Sequence, residues 1–156
     1  MFPFRRSLAA SVNMLLCTGT LMAGNKPSAP LFLPLSLDKA LSLASRQNRI
    51  VFIDFCTTWC GACRKLDEDT WSDGKVIEQL KKKTVPLKID ADKEQIIRDK
   101  FKIRAYPTLL FLNSDGSILA RIVGYQIPSQ FIETLQGAIA VKGTRTVDPK
   151  IIDGDH

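Results

Sequence analysis

Cys60 and Cys63, in the run Trp59-Cys60-Gly61-Ala62-Cys63-Arg64, are the residues of this 156-residue chain whose types and spacing are best suited to chemistry. Two cysteines three apart at the start of a helix lie on one face of its first turn, close enough to form a disulfide. The first sits beside backbone N–H groups that have no partner inside the helix, where a partial positive charge of roughly half an elementary charge favours an anion. Arg64, one turn on, adds a full positive charge. Both effects favour a thiolate on Cys60, which makes it the expected attacking thiol, with Cys63 one turn further in.

A Cys-x-x-Cys pair is also half of many zinc sites. A closed zinc site needs four ligands, usually brought by a second such pair. The remaining cysteines are Cys17 and Cys56, the lone histidine is the last residue, His156, and no second pair exists. The expectation is therefore a redox dithiol with no metal and no organic cofactor.

Such a dithiol needs a strand before it and a helix after it. Residues 50–55 (Ile-Val-Phe-Ile-Asp-Phe) are nearly all apolar, as in a parallel strand buried on both faces, and Asp54 is the anomaly among them. Earlier, Ser36 can cap a helix in which Leu37, Ala40, Leu41 and Ala44 recur at helical spacing and which ends at 46–48. A helix is predicted from Cys60 to Thr70, restarting at Ser72 or Asp73 with Val76, Ile77 and Leu80 on one stripe. Residues 85–90 read as a strand. Asp92 is expected to cap a helix carrying Ile96, Ile97 and Phe101, and residues 106–112 to enter a third strand. The turn Asn113-Ser114-Asp115-Gly116 then pairs 118–123 back as a hairpin, and residues 129–140 close as a helix. Helices alternating with strands before a terminal hairpin and helix imply an α/β fold with a central mixed sheet of four to five strands, covered on both faces.

The composition suits one domain, with 45% hydrophobic and 24% charged residues. Arg5-Arg6, an apolar run to Ala23 and small residues after it read as an export signal over 1–23, with an uncleaved N-terminal anchor as the alternative. Cys17 would leave with that signal. The formal charge of +6 then falls by the two charges of Arg5 and Arg6 to +4. Lys81-Lys82-Lys83 ends a predicted helix, where cations complement the dipole, so no nucleic-acid partner is expected. Residues 24–34, with Lys26-Pro27-Ser28-Ala29-Pro30, read as an extended linker, 35–141 as the folded domain and 142–156 as a flexible tail.

Asp54-Phe55, Trp59-Cys60-Gly61-Ala62-Cys63, Ile103-Arg104-Ala105-Tyr106-Pro107-Thr108 and Gly124 occur in the order found in the thioredoxin superfamily, which the chain resembles over about 35–140. With Trp71-Ser72-Asp73 ending the run 67–73, it looks most like the C-terminal periplasmic domain of the Dsb-type thiol:disulfide interchange reductases. That resemblance implies a thioredoxin fold, a cis Pro107 beside the dithiol presenting the backbone of Tyr106 to substrate, and a buried Asp54 of raised pKa that takes a proton from Cys63. The lysine that many thioredoxins set opposite this acid is replaced by Pro86, and Lys88, two residues on along the same strand face, is the expected substitute. Trp59 is expected to wall the active-site surface, and Tyr106 to be either a lid or an exposed aromatic. Gly61 and Ala62 stand between the cysteines, where thioredoxins have a proline in place of Ala62. Cys56 stands where a tryptophan is usual, and reads as a buried inert thiol, with a third redox thiol as the alternative.

The resemblance implies an exported monomer, periplasmic or otherwise outside the cytoplasm, that reduces disulfides of protein substrates through Cys60 and Cys63 and is re-reduced by a membrane electron donor. A thiol oxidase or isomerase, an electron relay in cytochrome or metal-site maturation, and a non-enzymatic peptide-binding module are the alternatives.

Overall fold

A computed structural model describes residues 30–145, the side chain of Arg145 excepted. The expected signal over 1–23, Cys17, His156, the linker up to residue 29 and the tail from 146 lie outside the described residues. The order of elements is α1 (Leu37–Arg46), β1 (Ile50–Cys56), α2 (Gly61–Lys65), a π-helical turn (Leu66–Thr70), α3 (Gly74–Lys83), β2 (Thr84–Asp90), α4 (Gln95–Lys100), β3 (Thr108–Leu112), β4 (Ile118–Val123) and α5 (Pro128–Arg145). The Ser36 hydroxyl accepts from the Lys39 N–H at the start of α1, and the Asp73 carboxylate from Lys75 and Val76 at the start of α3. Both satisfy N–H groups that the helix itself leaves open.

The strands form one mixed sheet in the order β2-β1-β3-β4, with β1 parallel to β2 and antiparallel to β3, and β3 antiparallel to β4. Alternate residues of β1 point to opposite faces. Val51, Ile53 and Phe55 join Leu37, Ala40 and Ala44 of α1 with Phe101 and Ile103 in one core. Ile50 and Phe52 join Leu66, Trp71, Val76, Leu80 and Phe131 in the other. Asp54 follows the parity of Phe52, so the acid is directed toward the aromatic core. The β1–β2 register sets Asp54 opposite Lys88 and Phe52 opposite Pro86.

Several boundaries differ from expectation. The helix after Cys60 is not uniform: the Trp71 N–H reaches the Leu66 carbonyl at 2.8 Å, five residues back, and this wider turn ends with Trp71 buried in the aromatic core. The strand after Pro107 begins at Thr108, since proline has no N–H to give to a ladder. Asp92 does not cap α4, which starts three residues later behind Glu94 without a side-chain cap. Of the expected stripe, Phe101 is buried and Ile97 packs on the core, but Ile96 is 86% exposed. α5 continues past residue 140 to Arg145, and Lys142 ties its last turns down by donating to Asn48 Oδ1 (2.8 Å) and the Arg49 carbonyl (3.3 Å). Packing also begins before Leu35: Leu31 and Phe32 lie against the aromatic core, Leu33 lies against the aliphatic one, and the Leu33 N–H donates to the Pro86 carbonyl at 2.8 Å. The end of the expected linker therefore lies along the free edge of β2, where an unpaired strand has backbone groups to satisfy.

Candidate active site

β1 delivers the chain to the end of the sheet, where residues 57–59 turn it into α2. Cys60 is the residue before the helix, in extended conformation, and its Sγ accepts the Cys63 N–H at 3.1 Å. Cys60 and Cys63 are joined as a disulfide with Cα atoms 5.3 Å apart. The same N–H that caps the helix through Cys60 would hydrogen-bond a thiolate there, which favours the charged form. Although Cys63 lies one turn further in, the two differ little in exposure, at 6% for Cys60 and 3% for Cys63. What separates them is the hydrogen bond: one sulfur accepts the open N–H of the first turn, while the other belongs to the residue that donates it.

Arg64 is exposed, and its guanidinium donates to the Thr58 carbonyl at 3.3 Å, holding the turn before Cys60. Gly61 and Ala62 are both exposed, and a Cβ on Gly61 would meet only the Arg64 guanidinium at 3.8 Å, an ordinary contact. Trp59 is 66% exposed; its ring meets Tyr106 edge-on at 5.8 Å, and its indole N–H donates to Asp92 Oδ2 at 3.0 Å. Asp92 thus holds an active-site side chain instead of capping a helix. Tyr106 is half-buried, and the Tyr106–Pro107 peptide is cis, as expected. The Pro107 carbonyl accepts from Gly124, whose φ of +99° suits a glycine.

Asp54 is fully buried. Trp71 Nε1 donates to its Oδ2 at 3.0 Å and Lys88 Nζ stands 3.7 Å from the same oxygen, while Oδ1 has no hydrogen-bonding partner among the described residues. Burial raises the pKa of this carboxyl to about 6 against the pull of Lys88 and Trp71. Lys88 is shared, since it also donates to the exposed Asp67 of the π-helical turn. Burial alone would lower the lysine, but the hydrogen bond to Asp67 and the charges of Asp54 and Asp67 outweigh it and raise its pKa. Lys88 thus lies beside Asp54, on the strand face where Pro86 stands, and a cleft of about 210 Å³ is lined by Cys56, Cys63, Asp67 and Lys88. Cys56 donates to the Ile89 carbonyl at 3.6 Å, and burial, then the charge of Asp54, pushes its thiol up to about 11. The expectation of a buried thiol is not met, since Cys56 is half-buried and lines this cleft because it ends β1 at the edge of the core, although its raised pKa favours the neutral thiol at physiological pH.

Sequence reasoning did not assign Trp71, Asp67 and Asp92 to the site. Trp71 ends an otherwise polar run, and an indole N–H that must be buried needs an acceptor; that was the available signal. For Asp67 and Asp92 the contacts are 21 and 33 residues away, and no local pattern carries them. Among the described residues, no cluster of three or more His, Cys, Asp or Glu side chains could hold a metal ion. No described helix is long and apolar enough to cross a membrane.

A four-stranded mixed sheet with helices on both faces, a dithiol at the first residue of the helix after β1 and a cis-proline loop beside it define the thioredoxin fold. The chain belongs to the thioredoxin-like domain family, whose model matches residues 37–139. The thiol:disulfide interchange protein DsbD of Yersinia pestis is 34% identical over 105 residues, which is 64% of this chain but only 18% of that protein. The solution structure of a Bacteroides thetaiotaomicron protein proposed to be a disulphide isomerase is 35% identical, superimposes with a TM-score of 0.60, and is covered over 90% of its length by 68% of this chain. A Thermus thermophilus thioredoxin superimposes with a TM-score of 0.63 at 20% identity, covering 76% of this chain and 95% of that one, a likeness of fold.

Proposed function

We propose that the chain is an exported thiol–disulfide oxidoreductase that reduces disulfides of protein substrates. The observation that carries this reading is the Cys60–Cys63 disulfide at the start of α2, with the Cys63 N–H on Cys60 Sγ. In the reduced protein, the Cys60 thiolate attacks one sulfur of a substrate disulfide, forming a mixed disulfide and releasing the other sulfur as a thiolate that takes up a proton. Cys63 gives its proton to Asp54, directly or through one water, and attacks Cys60 Sγ. The substrate leaves with both electrons as a dithiol, and the protein is left as the disulfide. A membrane-bound dithiol donor restores Cys60 and Cys63. Trp59, Tyr106 and Pro107 form the wall against which the substrate strand lies, and Gly61 and Ala62, small and exposed, leave the approach to Cys60 open.

No metal or organic cofactor enters these steps, and a monomer suffices for them. The sequence before Ala23 supports export, and the resemblance of residues 67–73 to the Dsb-type interchange reductases supports the reducing direction. The likeness to a protein proposed as a disulphide isomerase supports a second reading, in which the same residues rearrange disulfides.

Equilibration of the full chain with glutathione separates the two. A potential near that of thioredoxin, about −270 mV, supports the reductase; one near that of protein disulfide isomerase, about −180 mV, sinks it. Cys63→Ser should accumulate partners as mixed disulfides on non-reducing gels and Cys60→Ser should trap almost none, and the reverse pattern would remove Cys60 as nucleophile.

A further inference from the structure

Phe32 belongs to the stretch that composition assigns to a linker, yet it touches both groups that hold Asp54. Its ring meets Trp71 edge-on, with centroids 5.9 Å apart and planes at 84°. Lys88 Nζ lies over the same ring, 5.6 Å from its centroid. The strand-edge bond from the Leu33 N–H to the Pro86 carbonyl fixes the backbone next to it, two residues before Lys88 on β2. Trp71 Nε1 and Lys88 Nζ approach one and the same oxygen, Asp54 Oδ2. The aromatic face attracts the ammonium, and the ring edge-to-face contact limits the indole, so one side chain constrains two donors.

We infer that Phe32 is a positioning residue for Asp54, acting through Trp71 and Lys88, and that the segment 31–33 is a working part of the redox site. The role rests on the reading of Asp54 as the proton acceptor. The titratable groups facing Asp54 are Lys88 from β2, Asp67 from the π-helical turn and Cys56 from its own strand. Asp67 competes for Lys88, so without the ring beneath it the ammonium drifts toward the exposed carboxylate and away from the buried one. Trp71 and Lys88 both stabilise the ionised form of Asp54. Loosening them raises the pH at which it ionises, whereas the mere entry of water would lower it.

The test is a ¹³C carboxyl NMR titration of Asp54 in the oxidised full chain. Phe32→Ala should move the midpoint alkaline by about half a pH unit or more, and Phe32→Leu, which keeps most of the apolar bulk but not the ring, should move it the same way. Phe32→Tyr should leave it in place. Leu33→Ala trims a side chain that packs on the other core, keeps the main-chain bond to Pro86, and should also leave it in place. An unmoved midpoint in both Phe32→Ala and Phe32→Leu, an acid shift, or an equal shift in Leu33→Ala overturns the inference. The titration involves no turnover: if Asp54→Asn leaves resolution of the mixed disulfide unchanged, the proposed role of Asp54 fails while the Phe32 result still stands or falls by itself.

Discussion

The two faces of the sheet are built from the same strands and differ in what they can tolerate. Against α1 lies an aliphatic core of Val51, Ile53, Val85, Leu87, Leu110 and Leu112, with Phe55 and Phe101 as its aromatic pair. Against α3 and α5 lies a core in which Phe52, Trp71, Phe111 and Phe131 meet mostly edge-on or tilted, with centroids 4.9 to 5.9 Å apart. Among the buried side chains of the two clusters, only Trp71 of the second can hydrogen-bond, and only the second face receives a carboxyl. A buried acid on the α1 side would find no donor among those side chains, at a cost of several kcal/mol. Aromatic packing on the α3 side supplies bulk and an N–H in one residue, so the acid is retained there at a raised pKa instead of being expelled.

The comparison breaks if the faces respond alike to substitution. The largest effect expected is on the aliphatic side, where Ile53→Ala should lower stability by about 2–5 kcal/mol through lost burial and a residual cavity. Denaturant unfolding should show this loss equally at pH 4.5 and pH 7.5, because the buried side chains of that core carry no group that titrates in this range.

Asp54→Asn should give a smaller effect of opposite sign and with a pH window. The acid has a pKa of 3.8 as an ordinary carboxyl and about 6 when folded, so the folded state binds the proton more tightly. Its contribution is fully present below about pH 4 and is lost as pH rises through 6. At about 1.36 kcal/mol per pH unit, up to about 3 kcal/mol is lost by pH 7.5. The asparagine variant should lack this loss and gain on the parent at neutral pH, while in stopped-flow kinetics it should slow resolution of the mixed disulfide more than its formation. A variant whose stability tracks the parent from pH 4 to 7.5 would mean that burial of Asp54 carries no charge penalty.

Trp71→Phe should be the mildest, about 1–3 kcal/mol, because the ring packing survives and one buried hydrogen bond is lost. It sharpens the comparison by removing the N–H, with part of the indole, while an aromatic ring stays in place: the pH at which Asp54 ionises should rise further, read by the same carboxyl titration. An unchanged midpoint would leave Lys88 as the sole group holding the carboxylate.

Much of this was legible in the residues. The strands, the capped starts of α1 and α3, the hairpin after Asn113 and the dithiol at the head of α2 are local patterns of period, cap and turn. Lys88 was legible too, because a period of two puts it on the same face as Pro86 and the register needs only one neighbouring strand. Trp71 was not, because its inward direction depends on a π-helical turn that adds a residue between Cys63 and α3. Nor was Asp92, whose acidic side chain next to a short helix has the signature of a cap and whose partner lies on another loop. The Leu31 to Leu33 stretch was misjudged because prolines on either side mask three apolar residues that only a free strand edge makes useful.

By itself, then, the order of residues determined the fold, the dithiol and the acid inside β1, since each rests on interactions within a few positions or on strand alternation. Tertiary structure alone decided which donors reach that acid, which carboxylate shares its lysine and what covers them both. Those contacts join residues 17 to 56 positions apart, from Trp71 to Asp54 and from Phe32 to Lys88, and only the closure of the sheet and its helices brings them within hydrogen-bonding and ring-contact range.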